Sequence, residues 1–467
     1  MRRFDCAVIG TGPAGQKAAI QAAKLGKKTV VIERSGVLGG AAINTGTIPS
    51  KALREAVVHL TGASFRGLFG ESYRVKRNIT VADLIFVSEQ VIRHELDLIR
   101  GHFDRNNIEL VWGEAHFVSP NLLEVVRPED AERLSADFFI IATGTRPARP
   151  ESVPFNEHSV FCSDSLLRLE RLPKSMIVVG GGVIGTEYAC MMATLGVKVI
   201  LVEGRRELLG FLDHEITEAF QYHMRRLGTT LRLGEKVAKI EQIPCNGTDG
   251  PLVQATLESG KTLRAQTLLY AIGRQGTTEA LQLENVGLAP DDRGRLKVNA
   301  HYQTVVPHIY AVGDVIGFPA LASTAMEQGR LAVCHAFGEP TCSIPELFPY
   351  GIYAIPEISM VGKTEDQLTE AGIPYEAGIA QYKELARGQL LGDETGMLKL
   401  LIHQETHQIL GVHAIGSNAT ELIHIGQAVM AFNGTVDYFI NNVFNFPTLA
   451  EAYKVAALNG LNKLRHI

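Results

Sequence analysis

Apolar residues fall in short runs that end at glycine-rich turns. The run Phe4-Asp5-Cys6-Ala7-Val8-Ile9 predicts a strand, and Gly10-Thr11-Gly12-Pro13-Ala14-Gly15 follows it at once. An alanine-containing helix is expected next, then a second apolar strand, Thr29-Val30-Val31-Ile32, ending on Glu33. The same succession recurs from Met176 to Glu203 around Gly180-Gly181-Gly182-Val183-Ile184-Gly185. Two long units of this kind are a duplicated nucleotide-binding fold and not a short solenoid repeat. Further buried strands are predicted over 137–142, at the run ending in Ala271 and at the run ending in Ala311. Pro147, Pro150 and Pro154 mark a linker. After about Pro345 the pattern changes. Strand-like runs over 351–355, 397–402 and 409–414 alternate with amphipathic helices over 421–432 and 448–464, an α+β arrangement.

The glycine spacing carries chemistry. In the first unit Gly10 permits the tight turn, Gly12 lets a pyrophosphate approach the backbone, and Gly15 lets helix and strand pack closely. The helix N-terminus then offers free N–H groups and a positive dipole end to phosphate. Glu33, at the end of the second strand, can accept from ribose hydroxyls. Glu203 stands at the same offset in the second unit. A carboxylate there favours NAD and repels a 2′-phosphate, but Gly204-Arg205-Arg206 follows directly. Arginine pairs bidentately with phosphate, so the second unit can accept NAD or NADP. The alternative is that both arginines are solvated surface.

Composition narrows the class. The chain has 467 residues and a net charge of −5, with 46% apolar and 20% charged residues. These values are ordinary for a globular protein of about three domains, and no basic excess points to nucleic acid. No apolar run is long enough to span a membrane. Six cysteines are scattered, at 6, 162, 190, 245, 334 and 342, without C-x-x-C or metal spacing, as expected of reduced thiols in a cytoplasmic protein. His424, flanked by Ile423 and Ile425, reads as a packed helix residue and not a ligand.

Between Gly39 and Lys51 the chain reads Gly39-Gly40-Ala41-Ala42-Ile43-Asn44-Thr45-Gly46-Thr47-Ile48-Pro49-Ser50-Lys51. This resembles the frame of a redox-disulfide motif, with Ala42 and Thr47 in the two cysteine positions. A thiol relay needs two sulfurs that attack each other, and neither side chain can do so. Near the C-terminus, Phe446-Pro447-Thr448-Leu449-Ala450-Glu451 resembles the frame His-Pro-x-x-x-Glu with Phe446 in the histidine position. Phenylalanine cannot transfer a proton. Both halves of the thiol machinery are therefore missing, and Glu451 is left with a structural role.

Together these features, in order along essentially the whole chain, resemble the FAD-dependent pyridine nucleotide–disulfide oxidoreductases. The resemblance implies an α/β fold: two Rossmann-like domains for FAD and NAD(P) and a C-terminal α+β dimerisation domain. It implies an FAD domain over 1–147 and 273–344, an NAD(P) domain over 148–272 and an interface domain over 345–467. It implies tightly but non-covalently bound FAD, contacted by Gly10, Gly12, Pro13, Ala14, Gly15, Glu33, Arg34, Gly40, Ala42, Lys51, Thr143, Gly144, Gly313, Asp314 and Ala322. Asp314 would reach the flavin ribityl chain. Gly180, Gly182, Ile184, Gly185, Glu187, Glu203, Arg205, Arg206, Gly273 and Arg274 would serve the exchanging NAD or NADP. Lys51 and Glu187 match an ion pair beside flavin N5, where a cation stabilises negative charge. Thr47 would fill space near the ring. A homodimer is implied, with Phe446 and Glu451 reaching the partner's flavin.

The segments 46–54, 351–359, 423–428 and 455–462 are most similar to the branch of the family that moves hydride between two nicotinamides. That branch implies NADPH + NAD⁺ = NADP⁺ + NADH, ping-pong at one site, with Lys51, Glu187 and Thr47 at the centre. Two other readings stay open from the residues: a diaphorase passing electrons to a quinone, and a non-catalytic FAD-binding subunit.

Overall fold

The computed structural model describes residues 2–70, 72–243, 252–341 and 347–464. Cys245, Cys342 and Pro345 lie outside the described residues.

The first apolar run forms the strand Arg2–Ile9 at the centre of a seven-stranded sheet. It pairs in parallel with Thr29–Glu33 on one side and Ala131–Ile141 on the other. Glu109–Trp112 extends the parallel part beyond Thr29–Glu33, and Ile309–Ala311 pairs in parallel with the end of Ala131–Ile141. The long strand Ala131–Ile141 begins ahead of the expected 137–142 because its first half pairs with an antiparallel meander, Glu114–Ser119 and Leu122–Val126.

The second unit builds a five-stranded, all-parallel sheet in the order Thr230–Leu233, Lys198–Glu203, Ser175–Val179, Thr267–Tyr270, Val160–Cys162. The helix Val183–Thr194 is buried almost throughout, as its apolar composition requires. The connections between the two units pair with each other: Thr145–Pro147 lies antiparallel to Arg274–Gly276. The first residue of the expected linker is thus part of a short ladder.

The C-terminal region is a five-stranded antiparallel sheet, Tyr350–Ile352, Ile358–Gly362, Ile409–Ile415, Met397–His403 and Tyr375–Gln381 in spatial order. The helices Ala419–Ala431 and Glu451–Leu464 pack on it. The strand expected over 351–355 stops at Ile352 because the Tyr353 amide donates instead to the Glu187 carboxylate. The helix expected from Thr448 starts at Glu451, and the Thr448 hydroxyl turns back to the Asn445 carbonyl. No described helix is long and apolar enough to cross a membrane.

Candidate functional site

Both glycine turns follow one design. In each, a Cβ on the last glycine would sit against the carbonyl oxygen of the first: 2.0 Å for Gly15 on Gly10 and 1.9 Å for Gly185 on Gly180. Only glycine allows the helix to start there. By contrast, a Cβ on Gly12 or Gly182 meets nothing within 4 Å. The middle glycine of each turn therefore faces open space at a helix N-terminus, where a pyrophosphate would lie. In the first unit that space is bounded by Gly40, whose Cβ would lie 2.9 Å from the Gly12 Cα. Gly313 packs on Ala14 from the other side, which brings Asp314 to the same turn. The Thr143 hydroxyl, next to Gly10, is buried without a hydrogen-bond partner. An open turn, an orphaned hydroxyl and an acid at the strand end fit a bound dinucleotide.

The two acids are held by equal numbers of donors but different chemistry. Glu33 accepts from the Thr11 amide and hydroxyl at 3.1 and 2.5 Å and from the Ser35 amide and hydroxyl at 2.9 and 2.7 Å. All four donors are neutral. Glu203 accepts from the Gly181 amide at 2.6 Å and the Arg205 amide at 2.9 Å. Its other two bonds come from the Arg205 guanidinium, Nε at 3.0 Å and Nη2 at 3.3 Å. Burial works to raise the Glu203 pKa, but the Arg205 and backbone donors hold it below the usual carboxylate range. The sequence reading missed Thr11 and Gly181, which occupy the variable position of each turn and clamp the acid from there.

The two units meet at Lys51 and Glu187. Lys51 lies one turn into the helix Thr47–Thr61, and Glu187 in Val183–Thr194. The ammonium donates to both carboxylate oxygens, at 3.0 and 2.8 Å, and stands 5.0 Å from the Tyr353 ring centroid. The Tyr353 amide adds a third bond to Glu187 at 2.9 Å. Three parts of the chain thus converge on one buried carboxylate. Tyr353 was not singled out by the sequence; its signal is its place at the end of an interface strand. The buried Arg54, one helical turn beyond Lys51, reinforces the junction through Glu357 at 3.2 Å and the Ala354 carbonyl at 3.3 Å.

The remaining predicted residues fall in two groups. Asp314 accepts from the Thr145 hydroxyl at 3.2 Å, and Arg274 donates to that hydroxyl and to the Thr145 carbonyl, both at 2.8 Å. These three form one network at the crossover between the units, with Gly144 and Gly273 on either side of it in the left-handed region. Ala322 opens the helix Ala322–Ala336 and Ile184 lies in the first turn of its helix. Arg34 stands apart, bonded to Glu114 at 3.3 Å on the surface. Ala42 lies in the short helix Gly40–Asn44, and Thr47 is exposed at the start of the next. The Thr47 carbonyl accepts from the Ser50 hydroxyl at 3.3 Å. Phe446 is 72% exposed and the Glu451 Oε2 is buried without a partner.

The described cysteines do not replace the missing pair. Cys6, Cys162, Cys190 and Cys334 are free and buried. Burial pushes the Cys6 and Cys190 thiols up to about 12, which leaves them unreactive.

Comparison with known proteins agrees with this geometry. Residues 4–329 match the pyridine nucleotide-disulphide oxidoreductase family, and residues 348–457 match its dimerisation domain. A soluble pyridine nucleotide transhydrogenase from Mycobacterium bovis is 54% identical over all of this chain and 98% of its own length. One from Photobacterium profundum is 48% identical over 99% of this chain and 98% of its own. Among solved structures, the HOCl-induced flavoprotein disulfide reductase RclA from Escherichia coli superposes with a TM-score of 0.86 at 26% identity, covering 97% of this chain and 99% of that one. LpdA from Mycobacterium tuberculosis has the same fold, with a TM-score of 0.88 at 24% identity over 98% of this chain and 99% of its own. The chain belongs to the pyridine nucleotide-disulphide oxidoreductase family.

Proposed function

We propose that this protein exchanges hydride between two nicotinamide nucleotides, NADPH + NAD⁺ giving NADP⁺ + NADH, with FAD at the first turn and the nucleotides alternating at the second. The observation that carries the reading is the junction itself. Two complete dinucleotide turns are tied together by Lys51 and Glu187, at a place where Ala42 and Thr47 leave no sulfur to take electrons onward. FAD, when bound, supplies a centre that accepts a hydride and returns one. Relatives named as soluble transhydrogenases at 48% and 54% identity over nearly full length support the same assignment.

The chain's own residues bind and orient. Gly10, Gly12, Pro13, Ala14, Gly15 and Glu33 hold the flavin nucleotide, with Gly40, Thr143, Gly144, Asp314 and Ala322 around it. The 1–147 and 273–344 segments form this domain, and 148–272 form the nicotinamide domain. Gly180, Gly182, Ile184, Gly185 and Glu203 receive the exchanging nucleotide. Lys51 supplies positive charge at the junction, and Glu187, fixed by the Tyr353 amide, keeps its ammonium in place. The region 345–467 forms a homodimer interface, supported by the exposure of Phe432, Val443 and Phe446. The protein works in the cytoplasm, in keeping with its free described thiols.

The test is anaerobic product analysis of the purified yellow protein with NADPH and a spectrally distinct NAD⁺ analogue. One analogue is expected to be reduced per NADPH consumed, without any further acceptor. If NADPH is consumed only after a quinone is added, the diaphorase reading replaces this one.

A further inference from the structure

Tyr353 touches both members of the ion pair at the junction, each by a different part of the residue. Its amide donates to the Glu187 carboxylate at 2.9 Å, and its ring centroid lies 5.0 Å from the Lys51 ammonium. A cation within about 6 Å of an aromatic ring is drawn to the negative charge of the ring face. Burial raises the pKa of the Tyr353 phenol, and the Thr420 side chain works against that rise. The ring is therefore neutral at physiological pH, and it attracts the ammonium as an aromatic face and not as a phenolate.

The ring belongs to a closed circuit of contacts. Thr420 donates to the buried Glu357 carboxylate, by its amide at 3.2 Å and its hydroxyl at 2.8 Å. Glu357 pairs with Arg54 at 3.2 Å. Arg54 stands one turn beyond Lys51 on the helix Thr47–Thr61, so the circuit returns to its starting point. The interface region thus grips this helix at two positions, from either side of the bend between the strands Tyr350–Ile352 and Ile358–Gly362. Lys51 needs such a grip. Its side chain has about 2 kcal/mol of rotamer freedom to lose. Apart from Glu187, its polar contact among the described residues is a long bond to the Ser50 hydroxyl at 3.4 Å.

We infer that the Tyr353 ring is a positioning residue for hydride exchange: its face fixes the Lys51 ammonium beside the flavin, so that positive charge is already in place when the flavin is reduced. This rests on Lys51 lying at the flavin, as proposed above. Without the ring, the ammonium keeps Glu187 but turns to water for part of the time. Reduction must then recruit it, and an equilibrium weakens by the fraction of the competent state that is lost. For a partly exposed cation and ring, that loss is about two- to fivefold.

The experiment compares Tyr353→Phe, Tyr353→Leu and a variant with 3,4,5-trifluorophenylalanine at position 353, which keeps the shape of phenylalanine and weakens the negative face of the ring. The midpoint potential of the bound flavin is measured by photoreduction against a reference dye, without any nucleotide. Tyr353→Phe is expected to keep the wild-type potential. The fluorinated and leucine variants are expected to shift the equilibrium two- to fivefold toward oxidised flavin, about 10–20 mV for a two-electron couple. In the Lys51→Met background the same changes at 353 are expected to shift nothing further. Titration with adenosine 5′-monophosphate, a fragment without nicotinamide, is expected to stay within about twofold throughout and shows that the second unit is intact. If the leucine variant does not fold, the comparison of phenylalanine with its fluorinated form decides alone. The inference falls if those two have the same potential, or if fluorination lowers the potential equally without Lys51. If Lys51→Met itself leaves the potential unchanged, the placement of Lys51 at the flavin falls and the inference with it. A quinone requirement in product analysis would overturn hydride exchange between nucleotides and leave these potentials as they are.

Discussion

Replacing Lys51 with Met removes the cation at the junction while keeping the length of the side chain. The Glu187 side chain is 5% exposed and that of Lys51 24%. After the change, Glu187 keeps the Tyr353 amide at 2.9 Å and loses both ammonium bonds. Stranding a buried charge in this way costs about 3–5 kcal/mol. The ammonium end of the pair is partly wet, so the lower figure of about 3 kcal/mol applies here. Replacing Glu187 with Gln is milder, about 1–2 kcal/mol, because the freed ammonium can reach water and keeps the Tyr353 ring. The double variant has no stranded charge. It is expected to be less destabilised than the two single losses added together, by a coupling of about 2 kcal/mol. Urea unfolding of the four holoproteins, followed by circular dichroism and compared at equal slope, gives the cycle. Product analysis on the same four proteins is expected to show slowed hydride exchange wherever Lys51 is replaced. Additive losses, or a Lys51→Met variant within about 0.5 kcal/mol of wild type, would refute the claim that this pair is a coupled, buried junction.

Glycine substitutions separate folding from binding: Gly185→Ala should fail to give a stable second unit, because its Cβ would lie 1.9 Å from a carbonyl oxygen, whereas Gly182→Ala should fold and lose nucleotide affinity. Thermal denaturation and fragment titration of the two variants check this. Lys399, fully buried, bridges Asp213 at 2.8 Å, Glu215 at 3.0 Å and Glu365, and so ties the N-terminus of the helix His214–Arg226 to the interface domain. Burial favours the neutral amine, yet hydrogen bonds to Asp213 and Glu365 carry the Lys399 pKa well above the lysine range. Burial likewise opposes ionised Asp213, but His413 and Lys399 hold its pKa below the carboxylate range. The raised group contributes below its ordinary value of 10.5 and is lost only as pH climbs through its folded value; the lowered group contributes above 3.8 and is lost as pH falls through its own. Neither Lys399 nor Asp213 should therefore give a transition between those limits, whereas burial lowers the pKa of the neighbouring His413, so its contribution is present above 6.5 and lost as pH falls through its folded value; Lys399→Met should cost about 3–5 kcal/mol by urea unfolding at neutral pH. Finally, the Ala42→Cys/Thr47→Cys variant should gain thiols that titrate but no disulfide reductase turnover, since Phe446 offers no proton; turnover without Phe446→His would contradict that account.

The sequence by itself determined the two nucleotide turns, because their requirements are local. A strand, three spaced glycines, a helix start and an acid at the next strand end all lie within one βαβ unit, and each has a residue type that only it can use. It also determined what the site cannot do: Ala42, Thr47 and Phe446 are chemical exclusions that no folding can reverse. The tertiary structure decided everything that depends on residues far apart in the chain. The resemblance implied that Glu187 meets Lys51, but that the Tyr353 amide from the third region joins them is announced by no spacing rule. Arg205 and Arg206 are neighbours with one charge and look alike in sequence. The fold turns one onto Glu203 and leaves the other lining the neighbouring cleft, because side-chain pairing follows distance in space and not position in the chain.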